Sequence, residues 1–288
     1  MKPVERLLPE SREAELRQLA KEIRRNVIKT VYHARAGHIG GPLSAADVLT
    51  ALYFEVMNIR PQDPAWEGRD RFVLSKGHSA IALYCTLGER GYFSKDELHT
   101  FDEINSRLQA HPDMTVLPGL DMSTGSLGQG ISSAVGIALG AKMKHAPFHT
   151  YCMIGDGESQ EGQVWEAADI ASKYALDNLT IFMDYNQLQQ YGWAGSNGRV
   201  RQIPVHQPEA RWQAFGFHVI QIDGHDMQQI VQACRDAKQT KGKPTIIIAK
   251  TKKGKGVSFM EGDYLWHSRV PTDQELALAM AELEEGAV

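Results

Sequence analysis

The sequence predicts an α/β fold, a parallel β-sheet with helices on both faces, and three observations carry the prediction. From residue 150 onward, short apolar runs alternate with segments of helical period. The apolar runs "YCMI", "LTIFM" and "TIIIA" are continuous rather than alternating, as in strands covered on both sides. A chain of 288 residues with 42% hydrophobic and 23% charged residues is large enough to bury such a core.

Taken in order, residues 11–36 read as a charged amphipathic helix, and Ser44 is placed to cap a second helix over "AADVLTALYFEVM". "RFVLS" (71–75) reads as a buried strand and "SAIALYCTLGERG" as the helix after it. "SKDELHTFDEI" (94–104) opens with a capping-box pattern, Ser94 to Glu97. "GISSAVGIALGAKMKH" (130–145) is a small-residue helix behind a glycine-rich turn. The alternation then runs strand "TYCMIGD", helix "EGQVWEAADIASKYA", strand "LTIFMDY", short helix "PEARWQAFG", strand "FHVIQID", helix "MQQIVQACRDAKQ" and strand "PTIIIAKT", with a last helix near 272–285.

Composition removes several function classes. A net charge of −4 offers no basic field for nucleic acid or an anionic membrane. No apolar run reaches transmembrane length, and "MKPVERLLPESREAELRQLAKEIRR" is too charged for a secretory signal. Cys85, Cys152 and Cys234 stand alone in apolar contexts, so they are expected to pack as free thiols in a reducing, cytoplasmic setting.

In parallel sheets, ligands bind beyond the carboxyl ends of the strands. Two polar residues stand at such ends: Asp156, between Gly155 and Gly157, and Asn186, thirty residues on. Familiar phosphate motifs fail. A G-x-G-x-x-G reading needs glycine where Gln160 stands, and Walker A readings need glycine at Ala249 or Ser/Thr at Pro244. A diphosphate held through a divalent cation fits better. Magnesium takes hard oxygens from one or two protein groups plus phosphate. Asp156 supplies a charged oxygen, Asn186 a neutral one, and the Leu188 carbonyl a third, while Gly155 and Gly157 admit close backbone approach.

G-D-G followed about thirty residues later by Asn resembles the thiamine diphosphate and magnesium motif. Co-linear segments make the resemblance one to the transketolase family: "AGHIGGPLSAADVLTALYF" (36–54), "DRFVLSKGHSAIALY" (70–84), "AHPD" with "STGSLGQGISSAVGIALGAK" (110–113, 123–142), and "WHSRVP" (266–271). The resemblance implies a thiamine diphosphate-binding fold (the PP domain) over the whole chain, 1–288, with an N-terminal helical arm and a C-terminal tail. It implies thiamine diphosphate with Mg²⁺, or Ca²⁺ or Mn²⁺ in its place, at Asp156, Asn186 and Leu188. His38, His78, His111 and His267 match the family's active-site histidines: His78 and His267 near the diphosphate and reacting centre, His38 and His111 at the sugar. Gly125, Leu127, Gly155, Gly157, Gln190 and Lys253 match cofactor contacts, Lys76 sits where one branch of the family has a lysine near the site, and Glu161 matches a glutamate that joins the two cofactor sites of the dimer. The other histidines, His33, His99, His145, His149, His206, His218 and His225, read as surface or packing residues. Ile39 and Ser126 depart from the family by replacing common prolines.

The family's catalytic glutamate lies in a pyrimidine-binding domain that this sequence does not reach. The expectation is therefore the N-terminal subunit of a split transketolase, or else a fragment of a longer chain. The pyrimidine and C-terminal domains would be supplied by a second chain in an α2β2 assembly. It would transfer a two-carbon ketol unit from a ketose phosphate to an aldose acceptor, in the pentose phosphate pathway or a sugar-specific route. The alternatives are the α subunit of another thiamine enzyme, such as a 2-oxo acid dehydrogenase, and a non-catalytic scaffold subunit. A deoxyxylulose-phosphate synthase resemblance is weaker, because that enzyme arranges its domains differently.

Overall fold

A computed structural model describes residues 7–190, 193–194, 201–202 and 207–285. The elements follow the expected alternation: α1 (Glu10–Ala34), α2 (Gly40–Ala51), β1 (Arg71–Leu74), α3 (Ala80–Arg90), α4 (Gln129–Met143), β2 (Thr150–Gly155), α5 (Gly162–Lys173), β3 (Leu179–Tyr185), β4 (Trp193–Ala194), β5 (Arg201–Gln202), α6 (Pro208–Ala214), β6 (His218–Asp223), α7 (Met227–Gln239), β7 (Thr245–Lys250) and α8 (Asp273–Glu285). Five strands form a parallel sheet in the order β1-β2-β3-β7-β6, and β4 and β5 pair as a separate antiparallel ribbon that the sequence patterns did not predict.

The period-2 geometry of the strands sorts their side chains into two cores. Phe72, Leu74, Tyr151, Met153, Phe182 and Ile247 pack under α1, α2, α3 and α7. Val73, Cys152, Ile154, Ile181, Ile246 and Ile248 pack under α4, α5 and α6. Both faces are thus covered, which is why these strands carry no polar alternation; each buried aliphatic side chain contributes about 1.5–3 kcal/mol. All three cysteines are free and buried, and burial pushes the Cys234 thiol up to about 12, so they pack as expected. Among the described residues no helix is long and apolar enough to cross a membrane.

Two local expectations are corrected. Ser44 does not cap α2, which starts at Gly40 with Pro42 in its first turn, where a missing N–H costs nothing. The Ser44 hydroxyl donates instead to the Gly41 carbonyl or to Asp184, at 2.8 and 2.6 Å. The helix also ends earlier than read, in a π-helical turn over Leu52–Val56. The Ser94–Glu97 capping box does not form either. Residues Lys95–Thr100 make a 3₁₀ helix, Ser94 accepts from the Asp96 N–H, and Glu97 pairs with Arg107 at 2.7 Å.

The histidines outside the motifs are surface or packing residues as expected, except His225, which is hydrogen-bonded to buried Asp47 at 2.6 Å, and His206, which lies outside the described residues. His149 is the most buried of them. Its ring packs 4.8 Å from that of Tyr151, and its Nε2 lies 2.8 Å from the Thr180 hydroxyl. Burial first, then the charges of Lys238 and Lys241, lower its pKa to about 3. The unfolded chain therefore binds a proton here below about pH 6.5 that the folded state refuses, so stability falls as pH falls from there toward 3. Thermal melts are expected to drop between pH 7 and pH 5, and His149→Gln is expected to drop less. An equal decline in the variant would contradict this assignment.

Candidate active site at the strand ends

The carboxyl ends of β1, β2, β3 and β7 open into one cleft of about 560 Å³. Parallel pairing makes this convergence unavoidable. Gly155 registers with Asp184 and Asp184 with Ala249, so the loops that leave these strands begin side by side. The cleft is lined by His38, His78, His111, Gly125, Leu127, Gly155, Asp156, Gly157, Asn186, Leu188, Gln190, Lys253 and His267, all singled out in the sequence, together with Lys76. Glu161 is not among them. It stands exposed before the first turn of α5, beyond a short 3₁₀ turn that carries the chain out of the cleft.

Asp156 is buried, and its oxygens accept the N–H groups of Gly157 at 2.7 Å and Gln187 at 2.5 Å. Gln187 reaches it because its backbone is left-handed, with φ of 61°. Such a conformation costs a non-glycine residue about 1–2 kcal/mol, and strain of this kind gathers where function requires a particular chain path. The turn folds Asn186 and Leu188 over the G-D-G loop, and the Leu188 N–H donates to Asn186 Oδ1 at 3.1 Å. Burial, then the neighbouring carboxylate of Asp184, raises the Asp156 pKa to about 7. Burial lowers that of Lys253 to about 8, against the pull of Asp156.

The four motif histidines form one cluster. The ring of His38 lies 5.1 Å from His78, 5.1 Å from His267 and 6.4 Å from His111. His78 stacks on His267 at 5.2 Å. Lys253 Nζ donates to His267 Nδ1 at 3.1 Å, which leaves the proton of the neutral imidazole on Nε2. Burial and the surrounding cations bring His38 to about 4 and His267 to about 3, and hold His78 well below its ordinary value. These three rings are uncharged at neutral pH, so each offers one donor and one acceptor rather than a positive charge.

Two buried carboxylates were missed by the sequence reading. Glu158 accepts from the Ser75 hydroxyl (2.5 Å), the Gly128 N–H (2.8 Å) and the Gly155 N–H (3.0 Å), and so staples together the loops after β1, before α4 and after β2. Where the first two loops touch, a Cβ on Gly77 would sit 2.7 Å from the Gly125 nitrogen, so only glycine fits. Asp184, inside β3, is salt-bridged to Lys76. An acid within the apolar run "LTIFMDY" was the available signal for Asp184; nothing local marks Glu158. Among the described residues, no group of three or more His, Cys, Asp or Glu is placed to hold a metal. Besides Glu158, whose oxygens its own donors occupy, the side-chain oxygens lining the cleft are the Asp156 carboxylate and the amides of Gln160, Asn186, Gln189 and Gln190.

Comparison with known proteins agrees with this geometry. A family model described as "Transketolase, thiamine diphosphate binding domain" matches residues 16–283. The chain is 46% identical to the 6-deoxy-6-sulfo-D-fructose transketolase subunit of Clostridium sp. strain MSTE9, over 95% of this chain and 98% of that one. It is 44% identical to an apulose-4-phosphate transketolase subunit of Phocaeicola vulgatus, over 91% of each. The solved transketolase of Leishmania mexicana superposes with a TM-score of 0.85 at 33% identity, over 93% of this chain and 41% of that longer one. The strand-end cleft and these matches together establish that the chain belongs to the transketolase family and is a thiamine diphosphate-binding transketolase chain, a transferase.

Proposed function

We propose that this chain binds the diphosphate of thiamine diphosphate through Mg²⁺ and works with a second polypeptide to transfer a two-carbon ketol unit from a ketose phosphate to an aldose acceptor. The observation that carries the reading is the meeting of Asp156, Asn186 and Leu188 at the ends of adjacent strands, opposite four clustered histidines.

The residues present fit the cofactor. Asp156, Asn186 and the Leu188 carbonyl are hard oxygen donors, suited to Mg²⁺ and to Ca²⁺ or Mn²⁺ in its place. A Cβ on Gly155 would find nothing nearer than 3.9 Å, so the missing side chain is open room for an anion, whereas one on Gly157 would press on Gln189 at 3.2 Å. Gln189 Nε2 is buried with no hydrogen-bond partner, a donor awaiting an acceptor in the same cleft. When bound, thiamine diphosphate supplies the electron sink that lets a carbon–carbon bond beside a carbonyl break and re-form.

The chain's own residues have distinct tasks. Gly155, Gly157, Gln190 and Lys253 hold the diphosphate end, and Gly125 and Leu127 contact the thiamine rings. His78 and His267 stand near the diphosphate and reacting centre. His38 and His111 meet the sugar, where the neutral His38 ring both donates to and accepts from a hydroxyl. Glu161, outside the cleft, is available to a neighbouring subunit.

The names of same-length relatives as subunits support a partner chain, which would carry the pyrimidine-binding and C-terminal domains in an α2β2 assembly in the cytoplasm. The names of those relatives specify a sulfonated and a phosphorylated sugar, so the proposed donor is a ketose with an anionic far end. The test is a ketol-transfer assay with ketose phosphate, thiamine diphosphate and Mg²⁺, on this chain alone and mixed with a partner. Turnover only in the mixture, with none from pyruvate, is expected. Turnover by this chain alone, or with pyruvate as donor, would contradict the proposal.

A further inference from the structure

Asp184 has no part in the function just described, yet it is the most heavily connected side chain behind the cleft. It is 2% exposed and accepts from four side chains: Ser44 Oγ at 2.6 Å, Asn186 Nδ2 at 3.2 Å, Lys76 Nζ and Thr251 Oγ1. These donors come from α2 and from the loops that follow β1, β3 and β7. Burying a carboxylate is costly unless it is paired and hydrogen-bonded, and here one acid gathers most of the strand-end loops to meet that cost.

The bond to Asn186 has a directional consequence. An ionised carboxylate only accepts, so the amide must turn its NH₂ toward Asp184. Its oxygen is then turned away, toward the side where the Leu188 N–H donates to it and where Asn186 and Leu188 line the cleft. Asp184 and the Leu188 N–H thus select the two ends of the amide from opposite sides. The salt bridge likewise fixes the Lys76 ammonium, which also donates to the Gly41 carbonyl at 3.3 Å, at the cleft wall.

We propose that Asp184 is a positioning residue for the metal. It locks the Asn186 amide with its oxygen toward the cation, so the site's affinity for Mg²⁺ depends on a residue that never touches the ion. The inference rests on the reading of Asn186 as a metal ligand. Outer partners of metal ligands typically set 10–100-fold of metal affinity.

The test titrates Mg²⁺ into the reconstituted enzyme at fixed thiamine diphosphate and follows cofactor binding by tryptophan fluorescence. Asp184→Asn is expected to raise the half-saturating Mg²⁺ by roughly 10–100-fold, and excess Mg²⁺ is expected to restore binding. A merely structural role would lower the melting temperature and leave the Mg²⁺ midpoint in place. Where Asp184→Asn does not fold, Thr251→Val is read instead. It frees one carboxylate oxygen and keeps the charge, and a several-fold rise in the midpoint is expected. A wild-type midpoint in the folded variant overturns the inference while the metal reading stands; wild-type binding that ignores Mg²⁺ overturns the metal reading itself, and this inference with it.

Discussion

Asp156→Ala is expected to abolish ketol transfer by the reconstituted enzyme and to remove Mg²⁺-dependent binding of thiamine diphosphate. The loss is expected to exceed the roughly 100-fold that follows from removing an outer partner of a metal ligand, because here the only charged ligand goes. The fold is expected to persist. Asp156 is a buried acid beside a second buried acid, its hydrogen-bond partners are two backbone N–H groups, and burial outweighs the pull of Lys253, so it is held in place at a cost. Function-bearing groups of this kind typically burden stability rather than support it. Cofactor fluorescence titration and a thermal melt on the same sample separate the two effects. Retained Mg²⁺-dependent binding would rule out Asp156 as the ligand.

The largest effect on stability is expected at Arg24. Its guanidinium is fully buried in α1 and forks onto Asp47 of α2, with its Nε donating to the Leu43 carbonyl at 3.2 Å. Asp47 also accepts the His225 Nδ1–H at 2.6 Å, and His225 Nε2 accepts the Lys252 N–H at 2.9 Å. The network thus runs from the first helix to the loop that carries Lys253. Burial alone would raise the Asp47 pKa, but Arg24 and His225 outweigh it and hold the group at about 2. Removing the arginine strands a buried carboxylate, and Arg24→Ala is expected to cost about 3–5 kcal/mol in urea unfolding. Replacing both partners, as Arg24→Met with Asp47→Leu, is expected to recover most of it, because a well-packed apolar pair removes the charge as well as its partner. A cost below about 1 kcal/mol for the single variant would contradict this account.

The sheet was legible because strands covered on both faces must be continuously apolar, and "YCMI", "LTIFM" and "TIIIA" leave no other placement. The site was legible where chemistry is local. G-D-G and Asn mark strand exits, and parallel pairing brings such exits together without further information. What stayed hidden depends on distant partners. Ser44 resembles a cap until Asp184, 140 residues away, takes its hydroxyl. Ser94 and Glu97 match a capping box until Arg107 draws the glutamate aside. Asp184 and Glu158 reveal their roles only once segments distant in sequence meet around them. The histidines were recognised as a set, but the uncharged state of His38, His78 and His267 was not, because it follows from burial beside Lys76 and Lys253.

The most direct measurement of the central claim is a crystal structure of the reconstituted complex grown with thiamine diphosphate and Mn²⁺, with an anomalous difference map locating the metal. The account predicts one manganese peak per copy of this chain, bonded to Asp156, to Asn186 Oδ1 and to the Leu188 carbonyl, with the diphosphate over Gly155 and Gly157. A manganese peak bound elsewhere, or a diphosphate seated away from the ends of β2 and β3, would contradict it.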